Sequence, residues 1–160
     1  SRQNQKVVDY KSRNCFTFFL DEKHAKCHPQ DPITRLYASL EIGVKAAILE
    51  YRNKYELNKL FSRQWQITRY EQNNMFVNHY DDSPLFPRTV SLSWFLNDDF
   101  TGGELVFPKF DLTITPVAGQ MILFPSNYPY SHSVKPVKTG IRYAAVRWYT
   151  HYESFGLNGV

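Results

Sequence analysis

Cysteine is scarce: Cys15 and Cys27 are the only two in 160 residues, too few for the disulfide framework of a small secreted scaffold. His24 and His28 lie near them, but Cys27 and His28 are adjacent, which fits poorly with zinc-ligand spacings. These read as ordinary thiols and solvated histidines. Long apolar runs are missing too. None approaches 18 residues, so no segment is expected to span a membrane. The opening Ser1-Arg2-Gln3-Asn4-Gln5-Lys6 leads into no apolar stretch and does not read as a signal peptide. Basic residues outnumber acidic ones, 19 to 15, giving net charge +4 and a pI near 9.0. They are scattered, with no run of five or more, which argues against a nucleic-acid partner. Internal repeats and low-complexity tracts are absent.

Aromatics, by contrast, are plentiful at 16%, with 12 Phe, 11 Tyr and 3 Trp. Such rings suit a β-rich sandwich or barrel with an aromatic-lined groove. The 42% hydrophobic and 21% charged shares are those of an ordinary globular protein. Residues 1 to about 30 read as irregular, apart from a short buried strand at 14–20. Asp31-Pro32 then reads as an N-cap followed by proline at the first helical position. Leu36, Leu40, Val44, Ile48 and Tyr51 recur at helical spacing, which predicts a helix over 32–54 with one apolar stripe. Residues 54–63 read as a short helical extension or loop.

From Gln64 the pattern changes to strands, expected at about 64–71, 75–80, 89–96, 104–107, 110–115, 120–124, 131–135 and 141–149. Turn signals separate them at Asn73-Asn74, Asp82-Ser83-Pro84, Thr101-Gly102-Gly103, Pro116-Val117-Ala118-Gly119 and Thr139-Gly140. About eight strands with tight turns fit a jelly roll, or double-stranded β-helix, with the helix packed outside. The expectation is a mainly β (α+β) fold in one domain over 1–160, with 1–63 as helical support and 64–160 as the jelly-roll core.

His79-Tyr80-Asp81 is the triplet that carries chemistry. Alternate residues of a strand share a face, so His79 and Asp81 can point at one atom. The composition predicts about a quarter of a His-x-Asp by chance, so the triplet alone also fits a surface pair at a strand end. His132 follows at the start of another expected strand, and Arg142 begins the last. Two imidazoles and one carboxylate on one face of Fe(II) leave three positions open, as an oxygenase requires. A structural zinc site would need a fourth protein ligand, for which His151 is a candidate. On the last strand Arg142, Ala144, Val146 and Trp148 share one face, and Ile141, Tyr143, Ala145, Arg147 and Tyr149 the other. A cation among core residues calls for an anion, either a bound dicarboxylate or an acidic neighbour such as Glu104.

From Trp65 onward the chain resembles the 2-oxoglutarate- and Fe(II)-dependent dioxygenases of the prolyl 4-hydroxylase type. The resemblance rests on an ordered series. Tyr70 comes first, with His79-Tyr80-Asp81, then Phe95-Leu96-Asn97, Gly102-Gly103-Glu104-Leu105-Val106-Phe107 and Pro116-Val117-Ala118-Gly119. His132 with Pro136-Val137, and Gly140-Ile141-Arg142, complete it. The resemblance implies that His79, Asp81 and His132 ligate iron, and that Arg142 pairs with the distal carboxylate of 2-oxoglutarate. Many prolyl 4-hydroxylases have lysine at that place. It further implies that Tyr70 helps hold the co-substrate and that Trp148 lies near metal and substrate. Phe95 stands where some relatives have a second co-substrate-binding tyrosine, so one hydroxyl is missing here.

The implied reaction consumes O2 and 2-oxoglutarate, releases succinate and CO2, and hydroxylates an unactivated C–H, with ascorbate as an accessory. Asp81 fills a position that is vacant in related halogenases, which favours hydroxylation. The expected partner is a proline-containing peptide or protein, met by Tyr128, Tyr130 and Trp148 and by loops 82–88 and 126–131. Oxidative demethylation of nucleic acid and a non-catalytic jelly-roll metal- or ligand-binding module are the alternatives. Ferrous chemistry without a signal segment points to the cytoplasm.

Overall fold

Helix α1 spans Pro32–Lys54, where the apolar periodicity places it. The Asp31 side chain accepts a hydrogen bond from Ile33 N at 2.9 Å, and Pro32 occupies the first turn, where no backbone donor is needed. Arg52 and Lys54 in the last turn complement the helix dipole. Leu40, Val44 and Ile48 are buried, whereas Leu36 is exposed and Tyr51 half-buried. Ile33, Tyr37 and Tyr51 pack against the same cluster from the two ends of the helix, so of the expected stripe only Leu36 is turned away from it. This computed structural model describes residues 5–9, 13–20, 22, 25, 30–152 and 158–159. His24, Cys27 and His28 lie outside them, while Cys15 is a buried free thiol.

The strands are β1 (Gln5–Asp9), β2 (Arg13–Leu20), β3 (Phe61–Ser62), β4 (Trp65–Tyr70), β5 (Phe76–His79), β6 (Val90–Phe95) and β7 (Thr101–Gly102). There follow β8 (Leu105–Phe107), β9 (Leu112–Ile114), β10 (Met121–Pro125), β11 (His132–Val134), β12 (Val137–Thr139), β13 (Arg142–Thr150) and β14 (Asn158–Gly159). Twelve form one antiparallel sheet along the path β10-β6-β13-β4-β2-β5-β11-β8-β9, with β1 added to β2 and β3 joining β13 to β14. β7 and β12 make a separate two-stranded ribbon. The sheet curls into a half-barrel that carries α1 on its outer face.

Each of the eight expected strand runs contains a strand. The additional ones have physical reasons to be hard to see. β3, β7 and β14 are two residues long, too short for any periodicity to register. β1 is held by pairing with β2, a tertiary fact, so residues 5–9 form a strand where an irregular segment was expected. β2 itself lies between β4 and β5 in the middle of the sheet. The segment before residue 64 is thus part of the barrel wall as well as its helical cover.

Two apolar clusters follow from strand alternation. Outside, Leu40, Val44 and Ile48 meet Trp65, Leu92, Ala145 and Tyr149. Inside, Tyr70, Phe95, Leu105, Phe107, Phe124 and Ala144 line the barrel. β13 contributes to both. Its inner face presents Arg142, Val146 and Trp148 to the cavity, and its outer face sends the buried Arg147 towards α1.

A candidate mononuclear metal site in the barrel

His79 ends β5 and His132 begins β11, and the two residues are register partners, so their side chains emerge together at the barrel mouth. Asp81 lies just beyond the strand end, where its N–H donates to Ser126 O at 3.0 Å. The chain turn thus brings Asp81 between the two imidazoles. His79 Nε2 lies 3.6 Å from Asp81 Oδ1, and His132 Nε2 lies 3.7 Å from Asp81 Oδ2. One ligand atom from each of the three falls within 4.8 Å of the others, a spacing that a single metal ion can bridge.

The surroundings prepare each donor. His79 Nδ1 lies 2.9 Å from Val77 O and His132 Nδ1 lies 3.1 Å from Tyr130 O. A carbonyl can only accept, so Nδ1 carries a proton in each ring and Nε2 is the nitrogen directed at the shared site. Phe76 stacks on His79 with ring centroids 3.6 Å apart, and Phe124 meets His132 edge-on at 4.8 Å. Burial lowers the pKa of His132, with the His79 ring acting in the same direction against the opposing pull of Asp81. This favours the neutral ligand form. Burial alone would raise Asp81, but the two imidazoles and the Ser91 hydroxyl outweigh it and hold the carboxyl well below the usual range. Ser91 Oγ donates to Asp81 Oδ2 at 2.6 Å and lies 2.8 Å from Ser126 Oγ. Oδ1 remains turned to His79 and Arg88.

Arg142 lies deeper in the same pocket and is 2% exposed. Its Nε donates to Gly103 O at 3.0 Å, and its guanidinium carbon lies 5.1 Å from the Tyr70 ring centroid and 5.2 Å from that of Phe95. Among the described residues no carboxylate lies within 4.0 Å of it, and Glu104 is not its partner. Burial lowers its pKa, with Tyr70 and Cys15 acting the other way. Gly103 is required beside it, because φ is +66° and an added Cβ would approach Arg142 Cδ to 2.9 Å. A buried fork of donors without an internal anion fits a carboxylate ligand. The His-Asp-His donors likewise fit a divalent ion with open positions.

Tyr70 is 3% exposed, directly opposite Arg142 in the β4–β13 pairing. Trp148 lines the pocket from β13. Tyr128 and Tyr130 are not in its lining. Tyr128 is exposed on the rim under Lys109, 4.7 Å away, and Tyr130 packs on Phe110 at 5.0 Å. His151 lies apart from the three donors, exposed, with Nδ1 3.3 Å from Lys59 O.

Several residues here had escaped the sequence reading. Arg88 places its guanidinium 3.9 Å from the Trp148 ring centroid, donates to Asp81 O at 3.0 Å and lies 3.8 Å from Asp81 Oδ1. It sits in a loop read only as a groove wall, and nothing in its spacing marked it. Ser91 could have been found as an inward position of β6, but a serine in a strand carries little signal. Arg13 also lines the pocket, from a strand whose place in the barrel was not predictable.

The family profile described as the 2OG-Fe(II) oxygenase superfamily matches residues 65–150. The chain belongs to that superfamily. Among curated relatives, prolyl 3-hydroxylase 2 of Rattus norvegicus is 40% identical over 68 residues, covering 39% of this chain and 10% of the relative. A PKHD-type hydroxylase of Synechococcus sp. is 35% identical over 92 residues, covering 51% of this chain and 40% of the relative. The chain thus spans only one tenth to two fifths of these relatives' lengths. Among solved structures, the viral collagen prolyl hydroxylase from Paramecium Bursaria Chlorella virus-1, in its 2OG complex, superposes with TM-score 0.68 at 23% identity. That match covers 90% of this chain and 82% of the viral one. A Pseudomonas putida prolyl-4-hydroxylase gives TM-score 0.68 at 20% identity over 93% and 77%. A Trichoplax adhaerens prolyl hydroxylase, in complex with a hypoxia inducible factor peptide fragment, gives 0.68 at 20% over 94% and 70%. At these identities the superpositions show the shared jelly-roll fold. No helix among the described residues is long and apolar enough to cross a membrane.

Proposed function

We propose that this chain is an Fe(II)- and 2-oxoglutarate-dependent dioxygenase hydroxylating an unactivated C–H, on a prolyl residue of a peptide or protein, with release of succinate and CO2. One observation carries the reading: a two-histidine, one-carboxylate cluster shares a pocket with a buried guanidinium that has no acidic partner among the described residues. When bound, ferrous iron with 2-oxoglutarate and O2 supplies the oxidising power.

The chain's own residues supply position and environment. His79 and His132 offer their Nε2 atoms, each ring anchored through Nδ1 to a backbone carbonyl, and Asp81 offers a carboxylate held by the Ser91 hydroxyl. Arg142 and Tyr70 receive the distal carboxylate of the keto acid, which provides the anion that the buried fork lacks. Leu105, Phe124 and Val134 line the cavity with apolar surface and exclude water. Trp148, with Arg88 stacked on it, forms the wall nearest the mouth, and Tyr128 and Tyr130 form a rim for an extended peptide. Ascorbate is the accessory reductant in this reading. Residues 1–160 act as one catalytic domain.

The prolyl substrate is supported by prolyl 3-hydroxylase 2 among the relatives and by prolyl hydroxylases among the structural neighbours. Nucleic-acid demethylation has no comparable support, since Arg147 faces away from the cavity and is engaged by Glu41 at 2.6 Å. The test is succinate release with Fe(II) and ascorbate, comparing proline-rich peptides with methylated oligonucleotides, together with a mass gain of one oxygen on the product. Turnover on the peptide that stops in His79→Ala is expected. Binding of metal and keto acid without succinate from any substrate would make the chain a non-catalytic module.

A further inference from the structure

Arg13 is a second guanidinium in the pocket. It opens β2 opposite Phe76, and its side chain runs along the barrel interior over Cys15 to Thr17. Its side-chain partners are all uncharged. Nε donates to Cys15 Sγ at 3.0 Å, one terminal nitrogen donates to Thr17 Oγ1 at 3.0 Å, and the central carbon lies 5.0 Å from the Phe76 ring centroid. Among the described residues no carboxylate lies within 4.0 Å of it. A guanidinium has five N–H donors; the Cys15 and Thr17 contacts take two and the Tyr70 hydroxyl is a further partner, so donors remain for a ligand. An acid-free guanidinium in a cavity asks for an anion, and two of them line this one. Tyr70 links the two cations: its ring lies beside Arg142, and its hydroxyl interacts electrostatically with Arg13. Phe95, on the strand next to β13 and on the other side of Arg142, has no hydroxyl to offer.

We propose that Arg13 is a co-substrate-binding residue, donating to a carboxylate of 2-oxoglutarate alongside Arg142 and Tyr70 and supplying the hydrogen bond that Phe95 cannot. The proposal rests on the oxygenase reading of the pocket. It gives the strand before the helix a direct part in the site, which a merely supporting segment would not have.

The test is calorimetric titration of 2-oxoglutarate into the Mn(II)-loaded chain, with thermal melting of every variant as a control. Arg13→Gln is expected to weaken keto-acid binding about 10-fold or more, the loss typical of a charge-assisted hydrogen bond. Mn(II) affinity should stay within about 2-fold, since Arg13 touches none of the three donors. Arg13→Lys keeps the charge without the fork and should fall in between. Adding Phe95→Tyr to Arg13→Gln should recover part of the loss. A well-folded Arg13→Gln that binds 2-oxoglutarate as tightly as the parent overturns the proposal, as does a loss confined to peptide binding. If Arg13→Gln does not fold, Arg13→Lys decides, and unchanged affinity there also overturns it. Failure of the parent chain itself to bind 2-oxoglutarate would instead reject the oxygenase reading.

Discussion

Arg142→Met separates a ligand-binding arginine from a structural one, because the two roles predict opposite changes in stability. The side chain is 2% exposed and gives the protein one hydrogen bond, Nε to Gly103 O at 3.0 Å, with no acid beside it. Methionine keeps most of the aliphatic volume between Tyr70 and Phe95. Losing the hydrogen bond costs about 1 kcal/mol, whereas removing an unpaired buried charge relieves a desolvation penalty of several kcal/mol. The variant should therefore be as stable as the parent to within about 1 kcal/mol, or more stable. Binding should move the other way. A forked, charge-assisted contact to a carboxylate is worth about 2–4 kcal/mol, so 2-oxoglutarate affinity should fall roughly 30- to 1000-fold. Urea unfolding reads the first quantity, and calorimetry on the Mn(II)-loaded chain reads the second. A variant destabilised by about 3 kcal/mol or more, with keto-acid affinity intact, would refute the assignment and make Arg142 a structural residue.

Ser91→Ala removes the 2.6 Å hydrogen bond to Asp81 Oδ2, and metal affinity measured by competition with a chelating dye should fall about 10-fold. Glu41→Ala strips Arg147 of its 2.6 Å ion pair and Trp65 Nε1 of its 2.8 Å acceptor. Because Glu41 itself is 36% exposed, the loss in urea stability should be about 2 kcal/mol, below that of a fully buried pair. Keto-acid binding should be unchanged, since this cluster lies on the other face of the sheet. Burial pushes the Tyr149 hydroxyl up to about 12, with Glu41 reinforcing and Arg147 opposing. Above about pH 10 the unfolded chain loses this proton and the folded chain keeps it, so stability should fall as pH rises from 10 to 12. Tyr149→Phe should flatten that slope in alkaline unfolding curves at little cost at neutral pH, because the buried hydroxyl has no well-formed hydrogen bond among the described residues.

The amphipathic stripe of α1 and the period-two runs of β4, β6, β10 and β13 were legible in the sequence because backbone geometry imposes those periods on side-chain placement. The opposite destinations of Arg142 and Arg147 were legible for the same reason. They are five residues apart on one strand, and the odd spacing sends one inward and the other to the helix. His79, Asp81 and His132 could be named because they fall in an ordered series of motifs, from Tyr70 to Arg142, that is far more specific than the triplet alone.

Other features depended on which chain segments meet. β1 and β3 form because partners are present, and β2 enters between β4 and β5 by pairing with residues more than forty positions away. That placement turns Arg13 from an unremarkable N-terminal cation into a wall of the cavity. Arg88 reaches Trp148 only because the loop after Asp81 folds back across the mouth. Whether Arg142 had an acidic neighbour was a question of distance, and Glu104 lies too far away to pair with it. Local spacing thus determined which side chains could share a strand face. The closure of the sheet decided which of them share a cavity, because hydrogen-bonded register between distant strands is a property of the folded whole.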